Sequence, residues 1–122
     1  MALHNEFGKL GEEKAQEHLI KLGYIIRELN WRSGKVELDI VAEKNNRIVF
    51  VEVKSRTSDI ILPTEAVNRK KINNLIRAAN AYIDFCNINN EIQFDIITLI
   101  GTPDEFELEH IEDAFLAPLK TY

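Results

Sequence analysis

Along residues 5–22 the small and apolar positions recur at helical spacing, with Gly8, Gly11, Glu12, Ala15, His18, Leu19 and Leu22 on one face suited to packing on a sheet. Asn5 is placed to cap the start of this helix, and Gly23 to end it in a left-handed backbone conformation. The period then shortens to two. Residues 24–31, 36–43 and 47–54 read as strands, the last two joined by the turn-forming Lys44-Asn45-Asn46 as an antiparallel hairpin. Alternation puts Leu38, Ile40 and Ala42 on one face of the second strand and Glu37, Asp39 and Val41 on the other. In the third strand Val49, Val51 and Val53 oppose Phe50, Glu52 and Lys54.

Residues 55–63 carry no clear period and are expected as a loop, after which Thr64 can cap a second helix reaching Phe85. Ile72, Leu75, Ile76, Ala79, Tyr82, Ile83 and Cys86 keep the helical period there, with Lys70, Asn73, Asn74 and Arg77 opposite. The nearly continuous apolar run 92–100 matches a central or parallel strand, closed by Gly101-Thr102-Pro103. Residues 105–111 alternate and predict an added edge strand. The order of helix, three strands, helix and strand predicts a single α/β domain over residues 1–122. Its central mixed sheet of four to five strands is flanked by two main helices.

Composition narrows the class. At 122 residues, 45% hydrophobic and 29% charged, a folded chain buries about two thirds of the surface it exposes unfolded, enough for a core without a disulfide or structural metal. Cys86 is the only cysteine, so no internal disulfide forms. No run approaches the roughly 18 apolar residues of a membrane span, and the charged N-terminal stretch lacks the apolar core of a signal peptide. No membrane partner and a cytoplasmic location are the expectation. The net charge of −5 argues against a nucleic-acid partner until its distribution is considered. Residues 47–77 carry seven basic side chains against three acidic ones, a net +4, and the rest of the chain carries −9. That basic middle suits a phosphate-bearing substrate and equally suits a solvated helix face.

The chemistry concentrates in Asp39 and, after twelve intervening residues, Glu52-Val53-Lys54. A hairpin brings Asp39 and Glu52 onto neighbouring strands, and Glu52 and Lys54, two apart, share a face. Two carboxylates suit a hard divalent cation such as Mg²⁺ or Mn²⁺, which takes one or two protein carboxylates, keeps waters and binds substrate phosphate oxygens; the Val53 carbonyl is a third oxygen within reach. Lys54 beside the metal can orient or deprotonate the attacking water, or offset charge on the phosphate. These roles describe phosphodiester hydrolysis. Glu-x-Lys alone is common as a surface pair. Asp39 at this offset, the apolar flanks and Glu12 on a packing face raise it above decoration.

The pattern Asp39 … Glu52-Val53-Lys54 resembles the motif of the PD-(D/E)XK nuclease superfamily, whose restriction-endonuclease-like core runs helix, three strands, helix, strand. More closely, Gly11-Glu12 with Ala15, Gly23-Tyr24, Asn30, Glu37 and Asp39, Phe50 through Arg56, Lys71 with Leu75, and Phe94-Asp95-Ile96-Ile97 resemble the YraN family of bacterial endonuclease-like proteins over nearly the whole chain. Holliday-junction resolvases of the superfamily carry a helix-one glutamate eleven residues before the closing Gly, as Glu12 stands before Gly23. The resemblance implies that Glu12 joins Asp39, Glu52 and Val53 in holding the metal, with Lys54 catalytic. It implies a DNA endonuclease acting on branched or structured DNA, as a two-fold homodimer. Arg56 and Lys71 match family positions and, with Arg69 and Lys70, are expected along the phosphate backbone.

Two positions depart from the family pattern: Gly34-Lys35-Val36-Glu37 replaces a Gly-Glu pair two residues before the Asp, and Gln93 replaces an Arg before Phe-Asp. Glu37 is expected as a salt-bridge partner, Asp95 as a structural hydrogen-bond acceptor, Trp31 and Tyr24 as packing groups, and His4, His18 and His110 without a role. The rival readings are a DNA-binding or protein-interaction module on the same fold without turnover, and a structural protein with an unused acidic pocket.

Overall fold

A computed structural model describes residues 2–57 and 69–115, with side chains from Glu6 onward. Its elements are α1 (Ala2–Lys21), β1 (Ile25–Ser33), β2 (Val36–Lys44), β3 (Arg47–Arg56), α2 (Arg69–Cys86), β4 (Glu91–Gly101) and β5 (Phe106–Ile111). The strands form one mixed sheet in the order β1-β2-β3-β4-β5, with β3 and β4 parallel and every other neighbour antiparallel. The predicted α/β architecture and edge strand are thus observed. The parallel β3–β4 pair needs a crossover, which α2 supplies, whereas the other pairs close through short turns.

Those turns follow from local chemistry. Asn45 and Asn46 both adopt positive φ, 54° and 62°, between the paired Lys44 and Arg47. That is the two-residue turn whose twist matches a hairpin, and asparagine tolerates it well. Gly34, at φ 61°, opens an equally short turn between the paired Ser33 and Val36. β1 runs on to Ser33 instead of stopping at Trp31.

Two cores sandwich the sheet. On one face Leu38, Val41, Ile48, Phe50, Phe94 and Ile96 pack under Leu75, Ala78, Ala79 and Tyr82 of α2; on the other Ile40, Ala42, Val49, Val51, Ile97 and Leu99 pack under Phe7, Ala15 and Leu19 of α1. Tyr82 is fully buried, edge-on to Trp31 and Phe50, and accepts a 2.9 Å hydrogen bond from Arg27 Nε. Trp31 and Tyr24 serve in packing, as expected.

Several sequence expectations are corrected. α1 starts at Ala2, so Asn5 lies inside it instead of capping it: no helix breaker stands among the residues before it. Leu22, expected on the packing face, is 44% exposed because the helix has ended at Lys21. Ser55 and Arg56 belong to β3, held in register by Leu99 and Ile100 of β4, and not to a loop. In α2 Ala78 is buried where Ile76 was expected, because the face on the sheet runs through Leu75, Ala78, Ala79 and Tyr82 and leaves Ile76 beside it. Thr64 and the expected start of α2 lie outside the described residues. The alternation expected for β2 fails at Asp39. Leu38 faces α2 while Ile40 and Ala42 face α1, so the strand changes face within two residues. Asn30, the residue of β1 opposite, has a φ of 52°, an irregularity that strict alternation cannot accommodate. No described helix is long and apolar enough to cross a membrane.

At the β4–β5 turn Gly101 has φ 139°, and a Cβ there would run into the Glu105 carbonyl. Gly101→Ala is expected to lower the unfolding free energy in urea by about 1 to 3 kcal/mol. Gly8, in α1 with open space around its Cα, should instead tolerate Ala, or gain up to ~1 kcal/mol from helix propensity.

Candidate functional site

The change of face in β2 creates the site. Its ladder with β3 is formed from Ile40↔Val51 to Lys44↔Arg47. Beyond it, Val53 N–H donates not to a strand carbonyl but to Asp39 Oδ2, at 2.9 Å. Asp39 is thereby turned toward β3 and lines one cleft with Glu52, whose carboxyl feels its negative charge. Glu52 continues the inward face of Phe50 and is only 4% exposed. Its other neighbour comes from α2, where the Lys71 ammonium lies 3.0 Å from Oε2.

Burial, and then the negative charge of Asp39, push the Glu52 pKa up to about 7, with Lys71 pulling the other way. Glu12 reaches this corner from α1. Its carboxyl is raised by burial and by Asp39, with Glu37 adding a smaller push, and is partly relieved by a hydrogen bond to the Asn30 side chain. The irregular Asn30 therefore faces both the kink in β2 and the helix carboxylate. Among the described residues no three carboxylate, imidazole or thiol groups close around a single point by themselves. The donor set is a contacting pair, Asp39 and Glu52, with Glu12 within electrostatic reach of Asp39.

Lys54 stands next along β3. Burial lowers its pKa, and the neighbouring Lys71 lowers it further against the pull of Glu52. For Lys71 itself burial acts downward, but Glu52 and, more weakly, Asp39 hold it above the ordinary lysine value. Both heads are donors without an acceptor, so the positive charge of Lys71 disfavours that of Lys54 beside it.

Arg56 closes the other side, lining a cavity of about 180 Å³ with Phe7, Gly8, Glu12, Lys54 and Ser55. Its Nε is buried and has no hydrogen-bond partner among the described residues. α1 approaches β3 closely here because Gly11 has no side chain; a Cβ would collide with Ser55 Oγ, which donates to the Phe7 carbonyl at 3.2 Å. Arg69 and Lys70 are exposed on the same turn of α2 as Lys71. Glu37 pairs with Arg32 at 3.5 Å, the salt-bridge role expected of it.

One buried network escaped the sequence reading. Asp95 is 1% exposed and accepts from Gln93 Nε2 at 2.8 Å and from the Asp113 N–H at 2.9 Å. His110 Nε2 meets its other oxygen at 2.7 Å, and His110 Nδ1 meets His18 Nε2 at 3.0 Å. Asp95 is the structural acceptor expected, but both histidines have a place that spacing could not reveal, since His18 and His110 lie on α1 and β5. Gln93 also explains its departure from Arg: its amide bridges Asp95 and Arg47.

Fold and site together define an α/β protein whose mixed sheet carries a contacting carboxylate pair, flanked by two lysines and a third carboxylate. The chain belongs to the family described as "Uncharacterised protein family UPF0102", whose model matches residues 11–99 and so spans every side chain of this corner. It is 49% identical over 120 residues to a UPF0102 protein of Bacteroides thetaiotaomicron, covering 98% of this chain and 99% of that protein. A UPF0102 protein of Phocaeicola vulgatus is 48% identical with the same coverage. UPF0102 protein FP2501 of Flavobacterium psychrophilum is 47% identical over 116 residues, covering 94% and 98%.

Glu52 has its raised pKa only in the folded chain, so its ionised form opposes folding, and that penalty is relieved as pH falls from about 7 toward the ordinary carboxyl value of 4.5. Without divalent metal, Glu52→Gln is expected to be more stable than the parent by roughly 1 to 3 kcal/mol above neutral pH, with no advantage below the ordinary carboxyl range. Urea unfolding of both proteins across pH checks it; a difference independent of pH contradicts the desolvated carboxyl pair.

Proposed function

We propose that the protein is a metal-dependent endonuclease of the PD-(D/E)XK superfamily that hydrolyses DNA phosphodiester bonds, on branched or structured DNA, in the cytoplasm. The observation that carries this reading is the Asp39–Glu52 pair, two carboxyls lining one cleft where almost no water reaches Glu52. Such a pair is costly to hold ionised unless a cation joins it. Carboxylate and backbone-carbonyl oxygens are the donors that Mg²⁺ or Mn²⁺ favours. The residues present fit that group: Asp39 and Glu52 would hold it, with the Val53 carbonyl and Glu12 beside them. Bound there, a divalent ion supplies polarisation of the phosphoryl oxygen and acidifies a water.

The chain's own residues do the rest. Lys54, with its pKa drawn down by burial and by Lys71, is suited to exchange a proton with water or to orient it. Arg56, which lines this cavity and whose Nε has no partner among the described residues, is suited to a phosphate oxygen. Arg69 and Lys70 extend the basic surface along α2, where neutralising phosphates releases counterions. Branched DNA has two equivalent strands to cut, which favours a two-fold homodimer; sedimentation of the purified protein should give twice the chain mass.

Purified protein incubated with linear, single-stranded and branched DNA is expected to cut only when Mg²⁺ or Mn²⁺ is added. Glu52→Ala and Lys54→Ala should each lower the rate at least about a hundredfold while DNA binding persists. Binding without metal-dependent cleavage of any of these substrates would instead favour the module without turnover. Mn²⁺ should raise the thermal midpoint of the parent and not that of Asp39→Asn, whereas an unused acidic pocket leaves both unchanged.

A further inference from the structure

Lys71 occupies the position at Glu52 that a second cation would need. We propose that Lys71 is an internal counter-ion that excludes the divalent metal: its ammonium and the metal ion compete for Glu52, and the ammonium must leave before the ion is held. This inference rests on the metal-dependent reading above and concerns how that site is loaded.

Three observations carry it. The first is contact: Lys71 Nζ lies 3.0 Å from Glu52 Oε2, on a side chain that is only 5% exposed. A hard divalent ion binds a carboxylate oxygen at about 2.1 Å, so both cations would crowd one desolvated carboxylate. At that separation, with little water between them, their repulsion is strong.

The second is how few carboxylates share the corner. Asp39 Oδ2 accepts the Val53 N–H, and Glu12 stands beside Asp39, not on Glu52. An ion bound through the remaining oxygens of Asp39 and Glu52 still shares the Glu52 carboxylate with the Lys71 ammonium.

The third is a route out. The Lys71 side chain is 39% exposed, and a cleft of about 180 Å³ lined by Lys35, Glu37, Asp39, Glu52, Lys71 and Asn74 opens beside it. A lysine head on a flexible four-carbon stem can swing into that cleft. It would then lie on the same turn of α2 as the exposed Arg69 and Lys70, where a phosphate oxygen is the ligand class it suits.

The test is titration calorimetry of Mn²⁺ into metal-stripped full-length protein without DNA, at mildly alkaline pH so that the carboxylates are ionised. Lys71→Met, which keeps the length and removes the charge, is expected to bind Mn²⁺ about tenfold more tightly than the parent, the factor set by losing a charge-assisted hydrogen bond to a competitor. Lys71→Arg keeps a cation in place and should bind no more tightly than the parent. Circular-dichroism melting reports folding, and Lys71→Gln replaces the Met variant if that chain does not fold. Tighter binding by the uncharged variants alone supports the proposal. Equal or weaker binding by them, beside measurable binding by the parent, overturns the exclusion and leaves the metal-dependent reading standing. Absence of Mn²⁺ binding in the parent and all variants overturns both.

Discussion

Two carboxyls held in contact, at a corner almost closed to water, are the constraint around which this molecule is arranged. Left alone, Asp39 and Glu52 would repel each other or share a proton. The chain answers with three partners drawn from three elements: the Val53 N–H on Asp39, the Lys71 ammonium on Glu52, and the Asn30 side chain on the adjoining Glu12. Each partner requires a departure from regular structure or an exact approach of elements. β2 gives up its alternation, β1 takes a left-handed residue, and α2 brings its first described turn over the sheet. Regular pairing would have been cheaper for the backbone, so its interruption at an acidic pair marks the place where structure is subordinated to chemistry.

The same constraint explains how α1 is anchored. Glu12 can address Asp39 only if the helix lies flat against β3, and two contacts along it hold it there. At its middle, Gly11 lets the helix approach Ser55, whose hydroxyl bonds the Phe7 carbonyl. Near its end, His18 joins His110 and the buried Asp95, tying the helix to β4 and β5. Asp95 is fully satisfied in that chain, by the Gln93 amide, the Asp113 N–H and His110, so it needs no cation. The two buried acids of the sheet thus differ in kind. One is saturated by amide and imidazole donors and serves the scaffold, and the other meets the half-exposed Lys71 ammonium.

Membership of the UPF0102 family, with relatives near 48% identity along almost their full length, extends this architecture beyond one chain. It does not by itself carry an activity, because one fold hosts many chemistries and function resides in the side chains placed on it. The proposed hydrolysis draws on hard oxygen donors, an amine whose proton is loosened by burial, and a guanidinium nitrogen with no partner among the described residues, all within a single corner of the sheet.

Much of this was legible in the residue order. Hydrophobic periods predicted both helices, all five strands and the hairpin through Asn45 and Asn46, because period and turn chemistry are local properties that a one-dimensional pattern records. The spacing of Asp39 from Glu52 and Lys54 likewise marked the site, since a hairpin converts spacing directly into adjacency. Other features were not legible. The face change at Asp39, the capture of Glu52 by Lys71 and the linking of His18 to His110 each join groups far apart in the chain, and no local pattern encodes them. Sequence alone therefore determined which elements form and which side chains make up the candidate site. Tertiary structure decided which charges meet, because burial and contact between distant segments arise only when the sheet closes against its two helices.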